Sequence, residues 1–246
     1  MKTRSRVALA TDALRTAENP LHLEGVVPAA ACARWLAAIE PHYEAAVGPD
    51  VKVHRSSLRL GAVPGLAFAE VMEQLAAAGL LDRCRDMLGG AIACLVDQCW
   101  LRRQYPASAR PAGHAAHSWH QDGALAFDFA AHPARPLPAA ALLAMCTCWL
   151  PLTDCGVHAP GLEWVAHPLD RLVAPEDLAD AAVQARFGSG TSRPLRAGDA
   201  LLFDGALLHR TQVTPSMTRT RTSLELRFLA AHALPARLTG QRLAMW

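Results

Sequence analysis

Ser118-Trp119-His120-Gln121-Asp122-Gly123 is the stretch on which the reading of this chain turns. On a strand, residues i and i+2 point to the same face, so His120 and Asp122 project side by side. One imidazole nitrogen and one carboxylate oxygen so placed give two points of a metal grip. A second histidine from elsewhere would complete a 2-His-1-carboxylate set, which leaves adjacent positions open on an octahedral ferrous ion. His-x-Asp alone also fits a hydrogen-bonded core histidine, so its surroundings must decide.

Downstream, Gly198-Asp199-Ala200-Leu201-Leu202-Phe203-Asp204-Gly205-Ala206-Leu207-Leu208-His209-Arg210 reads as a turn and an apolar strand that deliver His209, 87 residues after Asp122. That separation suits ligands brought together by a barrel. Twelve residues later Arg221 opens the alternating strand Arg221-Thr222-Ser223-Leu224-Glu225-Leu226-Arg227-Phe228. Thr222, Leu224, Leu226 and Phe228 form its apolar face, while Arg221 and Ser223 point the other way. A fixed guanidinium there suits two-pronged binding of a carboxylate, with Ser223 assisting. Upstream, Trp100, Arg102 and Gln104 share one strand face. Gln104 is a candidate donor to the same carboxylate, or lies on the exterior; Arg102 is a candidate for an acidic substrate. Trp119 and Phe127 are aromatic candidates for substrate contact, with packing as the alternative. His114 and His117, in Pro- and Gly-containing sequence, read as loop over the site and not as ligands.

The remaining elements sort by period. Pro28 to Val47 predicts a helix broken near Pro41, and Leu66 to Leu88 a second helical stretch divided by Gly79 and closed by Gly89-Gly90. Ile92–Tyr105, Trp119–Phe127, Leu142–Leu150, Leu162–Val165, Ala200–Phe203 and Thr222–Ala230 read as strands, with a helix over 175–187. Helices first and short strands after predict a mainly β fold with flanking helices, a barrel or sandwich. No linker or repeat divides the 246 residues, so a single domain is expected, helical to about residue 90 and β over about 91–230.

Composition narrows the classes: 52% hydrophobic and 19% charged residues with a net charge of +2 exclude a disordered chain and a basic nucleic-acid surface. No apolar run reaches the roughly 18 residues of a membrane span; Ala139–Leu152 comes nearest and is broken by Thr147 and Pro151. Lys2, Arg4, Arg6, Asp12, Arg15 and Glu18 are scattered through the N-terminus, unlike a secretory signal, and a cytoplasmic location is expected. The seven cysteines have no framework spacing and read as reduced core thiols. Small molecules are the expected partners, with no nucleic acid and no membrane.

Taken together, these segments resemble the phytanoyl-CoA dioxygenase family of Fe(II)/2-oxoglutarate oxygenases. Trp119-His120-Gln121-Asp122-Gly123 is similar to its iron-binding segment. Cys148-Trp149-Leu150-Pro151-Leu152-Thr153-Asp154-Cys155-Gly156 with Pro160-Gly161-Leu162-Glu163 is similar to its middle strands. The Gly198-Asp199 turn, His209 and Arg221 resemble its closing segment, in order over roughly 94–230. The resemblance implies a double-stranded β-helix (jelly-roll) barrel with Fe(II) held by His120, Asp122 and His209 at one mouth. It implies 2-oxoglutarate anchored by Arg221, with Arg219 as the neighbouring choice, and O₂ as oxidant. Halogenases of this lineage usually carry Gly or Ala at the carboxylate position, so Asp122 favours hydroxylation of a small organic molecule. The alternatives are desaturation, cyclisation or epoxidation on the same ligands, or a non-catalytic metal-binding jelly roll.

Overall fold

Two sequence periods, 3.6 in the first third and 2 thereafter, become helices packed on the outside of a sheet. The computed structural model describes residues 19–45 and 57–246, apart from 126, 133 and 239. The N-terminal charges, and Val47 at the end of the first expected helix, lie outside these residues.

After strand β1 (Leu21–Leu23), helix α1 spans Ala29–Ala45 and continues through Pro41 instead of breaking there. A proline inside a helix costs one backbone hydrogen bond and crowds the preceding turn. Trp35, Ile39 and Tyr43, all buried, anchor the helix on both sides of that defect. Strand β2 (Ser57–Arg59) precedes α2 (Phe68–Ala77) and α3 (Leu80–Leu88), which are divided at Gly79 as their sequence predicts. Gly79 and Gly89 both take left-handed backbone, at φ 71° and 72°, which glycine adopts without a Cβ penalty.

The expected strand Ile92–Tyr105 is two strands, β3 (Ile92–Leu95) and β4 (Trp100–Gln104), joined by a tight turn at Val96–Gln98. Then come β5 (Met145–Pro151), β6 (Gly161–Trp164), helix α4 (Asp180–Phe187) and β7 (Thr191–Ser192). The chain ends with β8 (Ala200–Asp204), β9 (His209–Gln212), β10 (Arg221–Ala230) and β11 (Leu243–Met245). Trp119–Phe127 is not the expected strand: His120 makes a single bridge with His209, and Asp122–Ala124 then forms a 3₁₀ turn. The physical reason is Gly123, where the Gly205 carbonyl approaches so closely that a Cβ would lie 2.6 Å from its oxygen. The amide of Gly123 donates to that same oxygen, so the chain turns where a strand would have run on.

All strand pairs are antiparallel. The larger sheet runs β1-β8-β5-β10-β3-β11, with β4 also on β10 and β2 on β4; the smaller runs β7-β6-β9. Alternation sorts the residues of the larger sheet. Cys146, Cys148 and Leu150 of β5, Leu202 of β8, and Leu224, Leu226 and Phe228 of β10 join α1–α3 in one apolar cluster. Trp149, Leu201 and Phe203 face the other way and pack with Leu162 and Trp164 of the smaller sheet. This is the double-stranded β-helix architecture; its strands do not close into a continuous cylinder, and the bridge between His120 and His209 ties the metal motif to the smaller sheet.

The turn into β8 depends on Gly198, at φ 89°, where a Cβ would sit 1.9 Å from the Val27 oxygen. Gly198→Ala should lower stability by more than the roughly 1–3 kcal/mol of a strained backbone alone, because Val27 must also move. Chemical denaturation of the two proteins measures this.

Candidate metal centre

The single bridge between His120 and His209 sets their rings 4.2 Å apart at the centroids. Asp122, two residues on, opens the 3₁₀ turn, and its Oδ1 lies 4.0 Å from His120 Nε2. Ligand atoms of all three residues fall within 4.8 Å of one another, the only such group among the described residues. Gln121, between them, is buried and points away. Its amide donates to the carbonyls of Arg171 and Ala206, and its oxygen accepts from the Val173 amide. These bonds pin the ligand-bearing segment to two other loops.

Both histidines are oriented in the same way. His120 Nδ1 bonds the Ser118 carbonyl at 2.7 Å and His209 Nδ1 the Leu207 carbonyl at 2.9 Å. A carbonyl can only accept, so each Nδ1 carries the hydrogen and each neutral ring offers its Nε2 lone pair to a metal. The Asp122 carboxylate is buried and held at both oxygens, Oδ2 by Thr147 Oγ1 at 2.7 Å and Oδ1 by Arg227 Nη2 at 2.8 Å. Burial opposes its ionisation, but the Arg227 charge and the Thr147 hydrogen bond prevail and hold its carboxyl well below the usual range. For His209, burial and then neighbouring His120 push the imidazole down to about 4. Two neutral imidazoles and one ionised carboxylate are a donor set fitted to Fe(II).

Along β10, residues Arg221, Ser223, Glu225 and Arg227 are all buried or nearly so. Arg221, 2% exposed, donates from Nε to the Pro160 carbonyl and from Nη1 to Ser223 Oγ. Its guanidinium lies over the Trp149 ring at 4.9 Å. Gln104 is its register partner on β4 and lines the same pocket. Arg102 also faces this pocket, bonding Glu225 at 2.7 Å, His117 Nε2 at 2.7 Å and Ser57 Oγ at 3.3 Å. The space left among these side chains is about 20 Å³, room for little more than one water molecule. Arg219 is exposed and lines a different groove of about 780 Å³ with His158 and Asp199, away from the triad.

The structure brings His120, Asp122, His209, Arg221, Ser223, Gln104 and Arg102 together, and keeps Trp119 and Phe127 out of the pocket. Trp119 is buried among Val165, Val173, Val183 and Leu208 beneath the Arg210 guanidinium. Phe127 stacks edge-on with Phe129 beside the cluster of Leu137, Ala141 and Leu172. The 3₁₀ turn at Asp122 changes the side-chain direction that a continued strand would have given Phe127. Thr147, Glu225 and Arg227 belong to the site although the sequence reading assigned them no role in it, and His117, read as loop over the site, lines the pocket beside Arg102. Glu225 and Arg227 have the same parity as Arg221, and Thr147 is the polar interruption of an apolar strand, so each left a signal.

A profile of the phytanoyl-CoA dioxygenase family matches residues 20–220. The chain belongs to this family. Family membership, with the triad assembled, makes it an Fe(II)- and 2-oxoglutarate-dependent oxygenase. No curated protein matches it by sequence. Among solved structures, it is similar to EctD from S. alaskensis with bound Fe, at 18% identity and TM-score 0.64 over 95% of this chain and 80% of that one. It is similar to SnoK, a non-heme alpha ketoglutarate dependent carbocyclase from nogalamycin biosynthesis, at 18% identity and TM-score 0.61, covering 89% and 83% of the two chains. The epimerase SnoN in complex with Fe³⁺, alpha ketoglutarate and nogalamycin RO gives 20% identity and TM-score 0.55, covering 92% and 85%. At these identities the likeness is one of fold.

The depressed His209 fixes a pH dependence. An unfolded histidine takes a proton below about 6.5, whereas folded His209 stays neutral down to about 4. Between those values the unfolded state binds more protons, so stability of the metal-free protein falls as pH drops, by on the order of 3 kcal/mol. Denaturation midpoints measured in chelator across this window should show the loss, and His209→Gln should flatten it.

Proposed function

We propose that the chain is a hydroxylase of a small organic molecule, working as one dioxygenase domain. His120, Asp122 and His209 hold Fe(II); Arg221, assisted by Ser223 and Gln104, holds the distal carboxylate of 2-oxoglutarate. The observation that carries this reading is the charge balance of the pocket. Asp122 is paired with Arg227, and Glu225 with Arg102. Arg221 has no carboxylate within ion-pair distance among the described residues, although it is buried. A buried cation without a counter-ion is costly, and a dicarboxylate ligand supplies the missing charge in two-pronged geometry.

Bound iron supplies activation of O₂, coupling decarboxylation of 2-oxoglutarate to succinate and CO₂ with oxidation of a substrate C–H bond. The chain's own residues do the positioning. The two Nδ1–H bonds aim both imidazoles, Trp149 backs the Arg221 guanidinium, and the paired charges of Arg102 and Glu225 line the wall beside the triad. His117 and Arg102, in contact at 2.7 Å, line the pocket beside the triad. Arg102 is the candidate contact for an acidic substrate there, and the His117 ring stands 5.6 Å from that of His120. Among the described residues no helix is long and apolar enough to cross a membrane. All seven cysteines are free and buried, which fits the reducing environment in which ferrous iron is also kept, the cytoplasm.

Anaerobic titration with Fe(II) and 2-oxoglutarate tests this, read by the visible charge-transfer band of the chelate. The wild type should develop the band, and Asp122→Ala should not. Arg221→Gln should raise the 2-oxoglutarate needed for half-saturation by about 10- to 100-fold, the roughly 1.5–3 kcal/mol of a charge-assisted hydrogen bond. Arg219→Gln should leave it unchanged. A folded wild type without the band would overturn the oxygenase reading.

A further inference from the structure

Asp122 is gripped by two residues that stand opposite one another on neighbouring strands. Thr147 of β5 and Arg227 of β10 are register partners, and each donates to a different oxygen of the carboxylate, at 2.7 and 2.8 Å. The oxygen held by Arg227 is the one turned to the histidines, 4.0 Å from His120 Nε2; the oxygen held by Thr147 is drawn back towards β5. A carboxylate free to rotate presents either oxygen, or both, to a cation. Presenting both would occupy one of the positions that a facial set leaves open.

Arg227 reaches this contact at some expense to itself. Its Nη1 bonds the Gln98 carbonyl at a long 3.4 Å, and its Nε is buried with no partner among the described residues. Its second carboxylate, Glu225, stands at 3.8 Å, well beyond the Asp122 distance. The guanidinium is therefore placed for Asp122 and not to satisfy its own donors. Thr147 is likewise the hydroxyl between Cys146 and Cys148 on a strand that is otherwise apolar, 1% exposed, and its side chain donates to Asp122.

We propose that Thr147 and Arg227 are positioning residues for the metal, fixing Asp122 in the one orientation in which Oδ1 completes the set with His120 and His209. The inference rests on the metal centre described above and is independent of the substrate. Neither residue touches the metal: they act through Asp122, and their effect is on how well the site is preformed.

The test is Co(II) binding to the full-length protein, followed by calorimetry and by the visible cobalt spectrum, without 2-oxoglutarate. Thr147→Val keeps the shape and removes the hydroxyl; Arg227→Lys keeps the charge and removes the planar fork. Each should weaken Co(II) binding by about 10- to 100-fold, the usual effect of losing an outer hydrogen bond to a ligand, and alter the cobalt spectrum. Thr147→Ser should restore both. Variants are compared where circular dichroism in chelator shows them folded at the assay temperature, whatever their midpoints, with Thr147→Ala replacing Thr147→Val and Arg227→Gln replacing Arg227→Lys if either does not fold. A folded variant at either position that binds Co(II) within about twofold of wild type, with the wild-type spectrum, overturns the proposal. Wild-type protein that binds no Co(II) overturns the metal centre itself, a separate outcome.

Discussion

Everything near the centre of this molecule answers to one constraint: ionised groups placed inside a sheet sandwich whose other interior residues are mostly apolar. An unpaired ion there costs several kcal/mol, against a total stability of about 5–15 kcal/mol for a typical protein. The chain meets this by pairing Asp122 with Arg227 and Glu225 with Arg102. Neighbouring charges outweigh burial at both carboxyls, Arg227 foremost at Asp122 and Arg102 foremost at Glu225, so both stay ionised. Arg103 is paired with Glu40 and Arg210 with Glu163, which leaves Arg221 as the arginine of the pocket without a carboxylate partner among the described residues, the basis of its proposed role as an anion anchor.

Much of this was legible in the sequence. The period-two pattern of β10 separated Arg221 and Ser223 from Leu224, Leu226 and Phe228, and the structure sends the two sets to opposite faces of the larger sheet. Gly79 marked the division between α2 and α3 because only a residue tolerant of left-handed backbone could make that turn. The pairing of His120 with Asp122 survived a wrong assumption about the local structure. A strand was expected through Phe127, but a 3₁₀ turn follows His120 and still directs both ligands inward. What failed was extrapolation beyond that turn, and with it the direction of Phe127. The approach of Gly123 to Gly205 is a contact between residues far apart in the chain, and no local pattern announces it.

Other features needed the third dimension altogether. Arg219 and Arg221 are two residues apart and both extend from the same stretch, yet one is exposed and the other almost wholly enclosed. The passage of α1 through Pro41 likewise depends on Trp35, Ile39 and Tyr43 meeting a core that includes strand residues from Cys146 to Phe228, more than a hundred positions further along the chain. Likeness to EctD and SnoK at 18% identity makes the same point from outside: the backbone arrangement persists with most side chains exchanged.

The alternation along β10 has a bearing on how the chain finds its fold. This strand pairs with β5 on one side and with β3 and β4 on the other. A slip of one residue in its pairing would turn Arg221, Ser223, Glu225 and Arg227 into the helix-packed apolar layer and Leu224, Leu226 and Phe228 into the polar pocket. Such a misaligned sheet would bury Arg221, Glu225 and Arg227 away from Asp122 and Arg102, leaving one carboxylate between two guanidiniums, so it is disfavoured by the very side chains that surround the metal centre. Proofreading of strand alignment during folding and the chemistry of the finished site are thus written into the same four positions.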